Sequence, residues 1–222
     1  WEKVQEICRR HDILIVADEV ITGFGRTGKM FACETFGITP DILVMSKQLT
    51  SSYMPLAAIA LSDKVYQGIA DHTAKLGTFG HGFTGSGHPV ATAVGLENLA
   101  IIEEQELVAN ASAMGKILQA ELAKFADHPM VGQVRGEGLI AAVQLMADKA
   151  TLTKFDPEGT VGAYVFERAH DHGLIIRNIK DAIAFCPPLI ITEDEVREVV
   201  ARFGKTLDDA TEFARKEGLF AG

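Results

Sequence analysis

Cysteine is scarce in this 222-residue chain, and the three present (Cys8, Cys33, Cys186) lie far apart, odd in number and outside any CxxC. That spacing excludes a disulfide framework or a zinc ribbon and points to a reduced, cytoplasmic setting. Long hydrophobic runs are missing too: no apolar stretch approaches the ~20 residues that span a bilayer. Positive charge is in deficit, with 21 Lys and Arg against 30 Asp and Glu, a net charge of −9. With a pI near 5.3, nucleic acid and anionic membrane surfaces are excluded as principal partners. An initiating methionine is also lacking. The chain opens on Trp1 and runs straight into an amphipathic stretch carrying Val4, Ile7 and Cys8 on one face. It reads as a chain entered partway through a domain.

What is there is ordinary globular composition, 47% hydrophobic and 23% charged, enough to bury a substantial core. Periodicity predicts a helix over 2–11, strands at 13–17, 42–45 and 57–61, and a helix over 88–103. Apolar runs that are continuous rather than alternating imply a parallel-dominated sheet covered on both faces. A long helix over 105–126 follows, then strands at 139–145, 174–177 and 182–186 with a helix near 160–172. A last helix opens on Thr192-Glu193-Asp194-Glu195, with capping-box spacing. Its stripe Val196, Val199, Val200, Phe203, Leu207 and Ala210 marks a core face. The fold class expected is α/β, with a first domain over 1–104 and a smaller α+β domain over 105–222.

Two apolar runs end in charges. Ile13-Leu14-Ile15-Val16-Ala17 closes on Asp18, and 29 residues later Asp41-Ile42-Leu43-Val44-Met45-Ser46 closes on Lys47. Taken alone, either residue is a solvated charge at a strand end. Together they supply an amine that desolvation can turn into a nucleophile and a carboxylate able to keep a pyridine nitrogen protonated. The pair reads as a pyridoxal phosphate site. Other motifs compete less well. Gly23-Phe24-Gly25-Arg26-Thr27-Gly28 fits GxGxxG, but Glu19-Val20-Ile21-Thr22 separates it from the strand, and no acid ends a strand about 20 residues on. Seven histidines lack HExxH or CxxC company, and His170 and His172 cannot share a helical face, so no metal is expected. Ser86 in Gly85-Ser86-Gly87 does not complete a GxSxG elbow. The Gly-rich segment 77–89 suits a phosphate instead, with Thr84 as the candidate hydroxyl and Pro89 opening the next helix. Arg177 ends Gly173-Leu174-Ile175-Ile176, a natural fork for a substrate carboxylate.

These residues carry a resemblance. Ala17-Asp18-Glu19-Val20-Ile21-Thr22-Gly23-Phe24-Gly25-Arg26-Thr27-Gly28 resembles the cofactor segment of the class III (omega) aminotransferases. Thr39-Pro40-Asp41-Ile42-Leu43-Val44-Met45-Ser46-Lys47 is similar to their Schiff-base lysine segment. Gly80-His81-Gly82-Phe83-Thr84-Gly85-Ser86-Gly87-His88-Pro89 resembles their interface loop, and Cys186-Pro187-Pro188-Leu189-Ile190 their CPP segment. The resemblance implies a pyridoxal phosphate-dependent fold type I homodimer, with 1–104 the C-terminal part of the large cofactor domain and 105–222 the small domain. It implies that Lys47 bonds the cofactor and shuttles a proton, that Asp18 holds the pyridine nitrogen, and that Val20 packs beneath the ring. Thr84, with Phe83 beside it, would reach the phosphate of the neighbouring subunit's cofactor, and Arg177 would bind a substrate carboxylate.

The implied reaction moves an amino group from an amine or omega-amino acid to pyruvate by a ping-pong route. Its partners are small amines, amino acids and keto acids. Gln48 and Ser51-Ser52 stand where the family more often has glycine and Gly/Ala, and Gly85 where an aromatic or alanine is common. Family members run to roughly twice this length, so a glycine-serine phosphate loop and a ring-stacking aromatic are expected outside this chain. An aminomutase or other chemistry on the same cofactor, or an inactive fragment, are the competing expectations.

Overall fold

The computed structural model describes residues 1–220. The chain divides into two compact units, Trp1–Ala109 and the remainder from Asn110.

In the first unit, α1 (Glu2–Arg10) has an acidic residue in its first turn and Arg9 and Arg10 in its last, matching the helix dipole. Its one buried residue, Gln5, donates to the Gly37 carbonyl at 2.9 Å and accepts from the Thr39 amide at 2.9 Å. That clasp fixes the turn leading into the second strand. Three strands follow: β1 (Val16–Asp18), β2 (Ile42–Met45) and β3 (Ala58–Leu61), in that order across the sheet. A four-residue helix, α2 (Ala32–Thr35), lies between β1 and β2. The sheet departs from the parallel-dominated, doubly covered one expected. β1 runs parallel to β2, but β3 is antiparallel to it. The reason lies in the connection: residues 46–57 fold as a 3₁₀ turn (Lys47–Leu49) and a loop that reverse the chain, with no helix to carry it across. Among the described residues Val16 is 56% exposed and Ile59 51%.

Strand β1 is also shorter than 13–17. Ile13 donates to the Cys8 carbonyl at the end of α1, and Ile15 to the Asp41 carboxylate, so these amides serve the helix end and a side chain. Apolar spacing does not predict the helix α3 (Asp63–Leu76), which the Ser62 hydroxyl caps. α4 (Pro89–Glu104) begins with proline at its first turn, and the His88 ring accepts from the Val90 amide at 3.2 Å.

The second unit holds a four-stranded antiparallel sheet, ordered β4 (Val131–Glu137), β5 (Ile140–Leu145), β7 (Ala182–Phe185), β6 (Arg177–Ile179). α5 (Leu107–Ala123) and a 3₁₀ turn (Lys124–Asp127) precede it; α6 (Thr160–Asp171) lies between β5 and β6, and α7 (Glu193–Lys216) follows. Burial alternates along β5, with Ala141, Val143 and Leu145 buried, as one covered face requires. α7 supplies the cover with Val196, Val200, Phe203, Leu207, Ala210 and Ala214. Phe203 stands edge-on to both Phe125 and Phe185. The expected capping box is present: the Glu195 amide donates to the Thr192 hydroxyl, and the Thr192 amide to the Glu195 carboxylate.

A strand over 174–177 is replaced by Arg177–Ile179. Gly173 takes a left-handed φ of 69° and Leu174 donates back to the Ala169 carbonyl, so this stretch closes α6 before the sheet begins. Asp181, buried in the β6–β7 turn, accepts from the Gly159 and Gly162 amides and satisfies the start of α6.

Candidate active site

Parallel pairing is what brings the two strand-end charges together. Asp18 is in register with Val44, and Lys47 comes three residues after Val44, just past the end of β2, so both reach the C-terminal edge of adjacent parallel strands. In open α/β sheets that edge is where ligands bind.

Asp18 is exposed, and its Oδ1 accepts the Val20 amide at 3.0 Å. Its second oxygen accepts no hydrogen bond among the described residues, so it is available to a protonated ring nitrogen. Behind it, Glu19 is buried and braced: its carboxylate accepts from the Ala32 amide at 3.0 Å, the Cys33 amide at 2.6 Å and the Thr22 hydroxyl. This carboxylate sits at the start of α2, where two free amides point at it. Burial of the Cys33 thiol, and after it the neighbouring Glu19 charge, push that thiol above its ordinary value. Glu19 thereby anchors the chain on both sides of the strand end. Nothing local in the sequence distinguishes Glu19 from Asp18.

Lys47 opens the 3₁₀ turn with φ of 43°, an uncommon left-handed conformation for a side chain of this size. The side chain is exposed rather than desolvated as the apolar run implied, because β2 ends two residues earlier. Its ammonium makes no ion pair among the described residues. A free amine and a half-bonded carboxylate on one strand edge fit the chemistry of an aldehyde-bearing pyridine cofactor.

The glycine-rich GxGxxG segment is a packed loop. Phe24, Arg26 and Thr27 are buried, Phe24 stands edge-on to Phe31, and Gly23 has the Glu19 carbonyl where a Cβ would go, at 2.8 Å. Phe83 and Thr84 lie in a turn closed by the Ser86 hydroxyl, which accepts from the Phe83 amide at 2.9 Å, and every residue from 77 to 90 is exposed. Arg177, at the start of β6, lines a cavity of about 810 Å³ in the second unit together with Ile175, Phe185, Cys186 and Pro188. His170 stacks edge-on with Phe166, and His172 bonds Asp209 at 2.8 Å. No group of three metal-ligating side chains occurs among the described residues.

The α/β fold is that of the fold type I, pyridoxal phosphate-dependent transferases, as the solved omega transaminases it superposes on show. The family model for class-III aminotransferases matches residues 1–207, and the chain belongs to that family. It is 42% identical to a diaminobutyrate–2-oxoglutarate transaminase of Halomonas elongata, over 98% of this chain and 47% of that protein. A chloroplastic gamma-aminobutyrate transaminase of Solanum lycopersicum is also 42% identical, over 94% and 40% of the two chains. Among solved structures, an omega transaminase from Pseudomonas jessenii in complex with PMP superposes with a TM-score of 0.92 at 58% identity, covering 96% of this chain and 47% of that one. A transaminase solved with L-alanine superposes at 0.93 with 53% identity, over 96% and 50%. The chain therefore spans about half the length of the relatives it matches.

Proposed function

We propose that this chain carries the lysine-bearing part of a pyridoxal phosphate-dependent aminotransferase that moves an amino group from an amine or omega-amino acid to pyruvate. The observation that carries this reading is the in-register parallel pairing that sets Asp18 and Lys47 at one strand edge. Bound pyridoxal phosphate supplies an electron sink for charge developing at the substrate carbon. Asp18 would hold a proton on the pyridine nitrogen, Val20 would pack against the ring, and Lys47 would hold the cofactor and carry the proton at the substrate carbon. Arg177 forks the substrate carboxylate. Pyruvate as acceptor is supported by likeness to a transaminase solved with L-alanine, its amino counterpart.

Phe83 and Thr84 reach the cofactor phosphate of a second subunit in a homodimer. The support is an exposed loop in which Phe79 is 63% and Phe83 79% exposed, more apolar ring than a free surface usually shows. Residues 1–104 then belong to the large domain and 105–222 to the small one. Three unpaired thiols fit a reducing compartment such as the cytoplasm. No helix of the described residues is long and apolar enough to cross a membrane.

The test is chemical. The intact protein, loaded with pyridoxal phosphate and reduced with borohydride, should carry one cofactor mass on the peptide containing Lys47. Lys47→Ala should carry none. Modification elsewhere, or on no residue, would discard the assignment.

A further inference from the structure

Helix α4 buries one stripe, Ala91, Gly95, Asn98 and Ile102. The spacing of four, three and four is that of a packed helical face. An amide in that stripe is costly unless bonded, and Asn98 is only 9% exposed. Its Nδ2 donates to the Gln48 carbonyl at 2.7 Å and to the Leu49 carbonyl at 3.3 Å. Its Oδ1 accepts from the Ser51 hydroxyl at 2.6 Å, and Gln48 Nε2 donates to that same hydroxyl at 2.8 Å. Carbonyls can only accept, so the orientation of the amide is forced.

Every partner of Asn98 thus lies within residues 48–51, directly after Lys47. This stretch is strained: Lys47, Ser51 and Ser52 have φ of 43°, 48° and 66°. Such conformations persist only where their surroundings over-determine them. The helix comes close because residue 95 has no side chain; a Cβ there would sit 3.1 Å from Leu56 and 3.7 Å from the Leu49 carbonyl.

We propose that Asn98, acting through Ser51 and Gln48, is the positioning residue for Lys47. Its amide holds the 3₁₀ turn in the left-handed entry from which Lys47 presents its amine at the edge shared with Asp18. The inference rests on reading Lys47 as the cofactor-bonding amine. Because α4 starts directly after the loop bearing Thr84, the same helix ties that loop to the lysine turn.

Three measurements on the intact protein test it. The first is the rate at which Lys47 acquires a borohydride-fixed pyridoxal phosphate. The second is affinity for pyridoxine phosphate, which has no aldehyde to react. The third is amide exchange across residues 48–53 without cofactor. Asn98→Asp keeps the size but turns an oxygen on two carbonyls that need donors. It should slow the modification on the order of tenfold to a hundredfold, with pyridoxine phosphate affinity held within about twofold. Exchange across 48–53 should speed up. Ser51→Ala, which leaves the Asn98 donors in place, should act in the same direction but less, and carries the test if Asn98→Asp does not fold. Unchanged modification rates, or equal losses for both cofactor forms, overturn the positioning role. A parent protein unmodified at Lys47 overturns the cofactor reading instead, and exchange at 48–53 then still decides whether Asn98 holds the turn.

Discussion

Arg177 begins β6 exposed, at the rim of a largely apolar cavity that includes Ile175 and Phe185. A guanidinium there offers paired donors to a carboxylate, while the walls suit an apolar group. Arg177→Ala should therefore weaken kcat/KM for pyruvate by about 2 kcal/mol, roughly thirtyfold, and leave an aldehyde acceptor without a carboxylate nearly unaffected. Equal losses on both acceptors would remove the carboxylate role. Asp18, Lys47 and Arg177 are legible in the sequence because each is a charge that abruptly ends an apolar run. Glu19 and Asn98 are not. Their significance comes from the backbone groups they meet, 13 and 14 residues away for Glu19 and about 50 for Asn98.

Elements with strong periodicity or a cap show in the sequence, as α7 does with its capping box and core stripe. β4 does not, because Gly132 and Gly136 interrupt its pattern. Gly136 is required where a Cβ would meet the Ile140 carbonyl at 2.5 Å and the Gln119 amide at 2.7 Å. The entry to β4 also carries a titration. His128 Nδ1 accepts the Met130 amide at 3.2 Å, and its Nε2 faces the Thr211 hydroxyl, which itself donates to the Leu207 carbonyl. Only the neutral ring can accept at Nδ1. Burial pushes the imidazole below its ordinary 6.5; Arg215 and Lys149 add to that, and Asp208 opposes it. A depressed folded value means that the unfolded chain binds the proton first. The contribution is whole above about 6.5 and is lost as pH falls through the folded value. Urea midpoints should drop as pH is lowered from 7 to 5, and less steeply in His128→Asn, which keeps an acceptor near Nδ1. Parallel slopes for the two proteins would discount His128.

At the scale of the whole molecule, burial is uneven. Of the largest fully buried side chains among the described residues, only Ile102 belongs to the first unit, whereas Phe203, Leu118, Leu122, Leu145 and Leu207 belong to the second. Local stability follows buried apolar contact. Amide exchange should be slowest in β5 and α7 and markedly faster in β1–β3; equal protection would contradict this account. The sequence by itself determined the α/β class, the family and the charged strand ends, because these depend on residue type and short-range spacing. Tertiary structure alone decided that β3 runs antiparallel and which distant backbone groups Glu19 and Asn98 bond. Those depend on which distant backbone groups a chain reversal or a helix face brings within hydrogen-bond reach, and local sequence pattern carries no record of that.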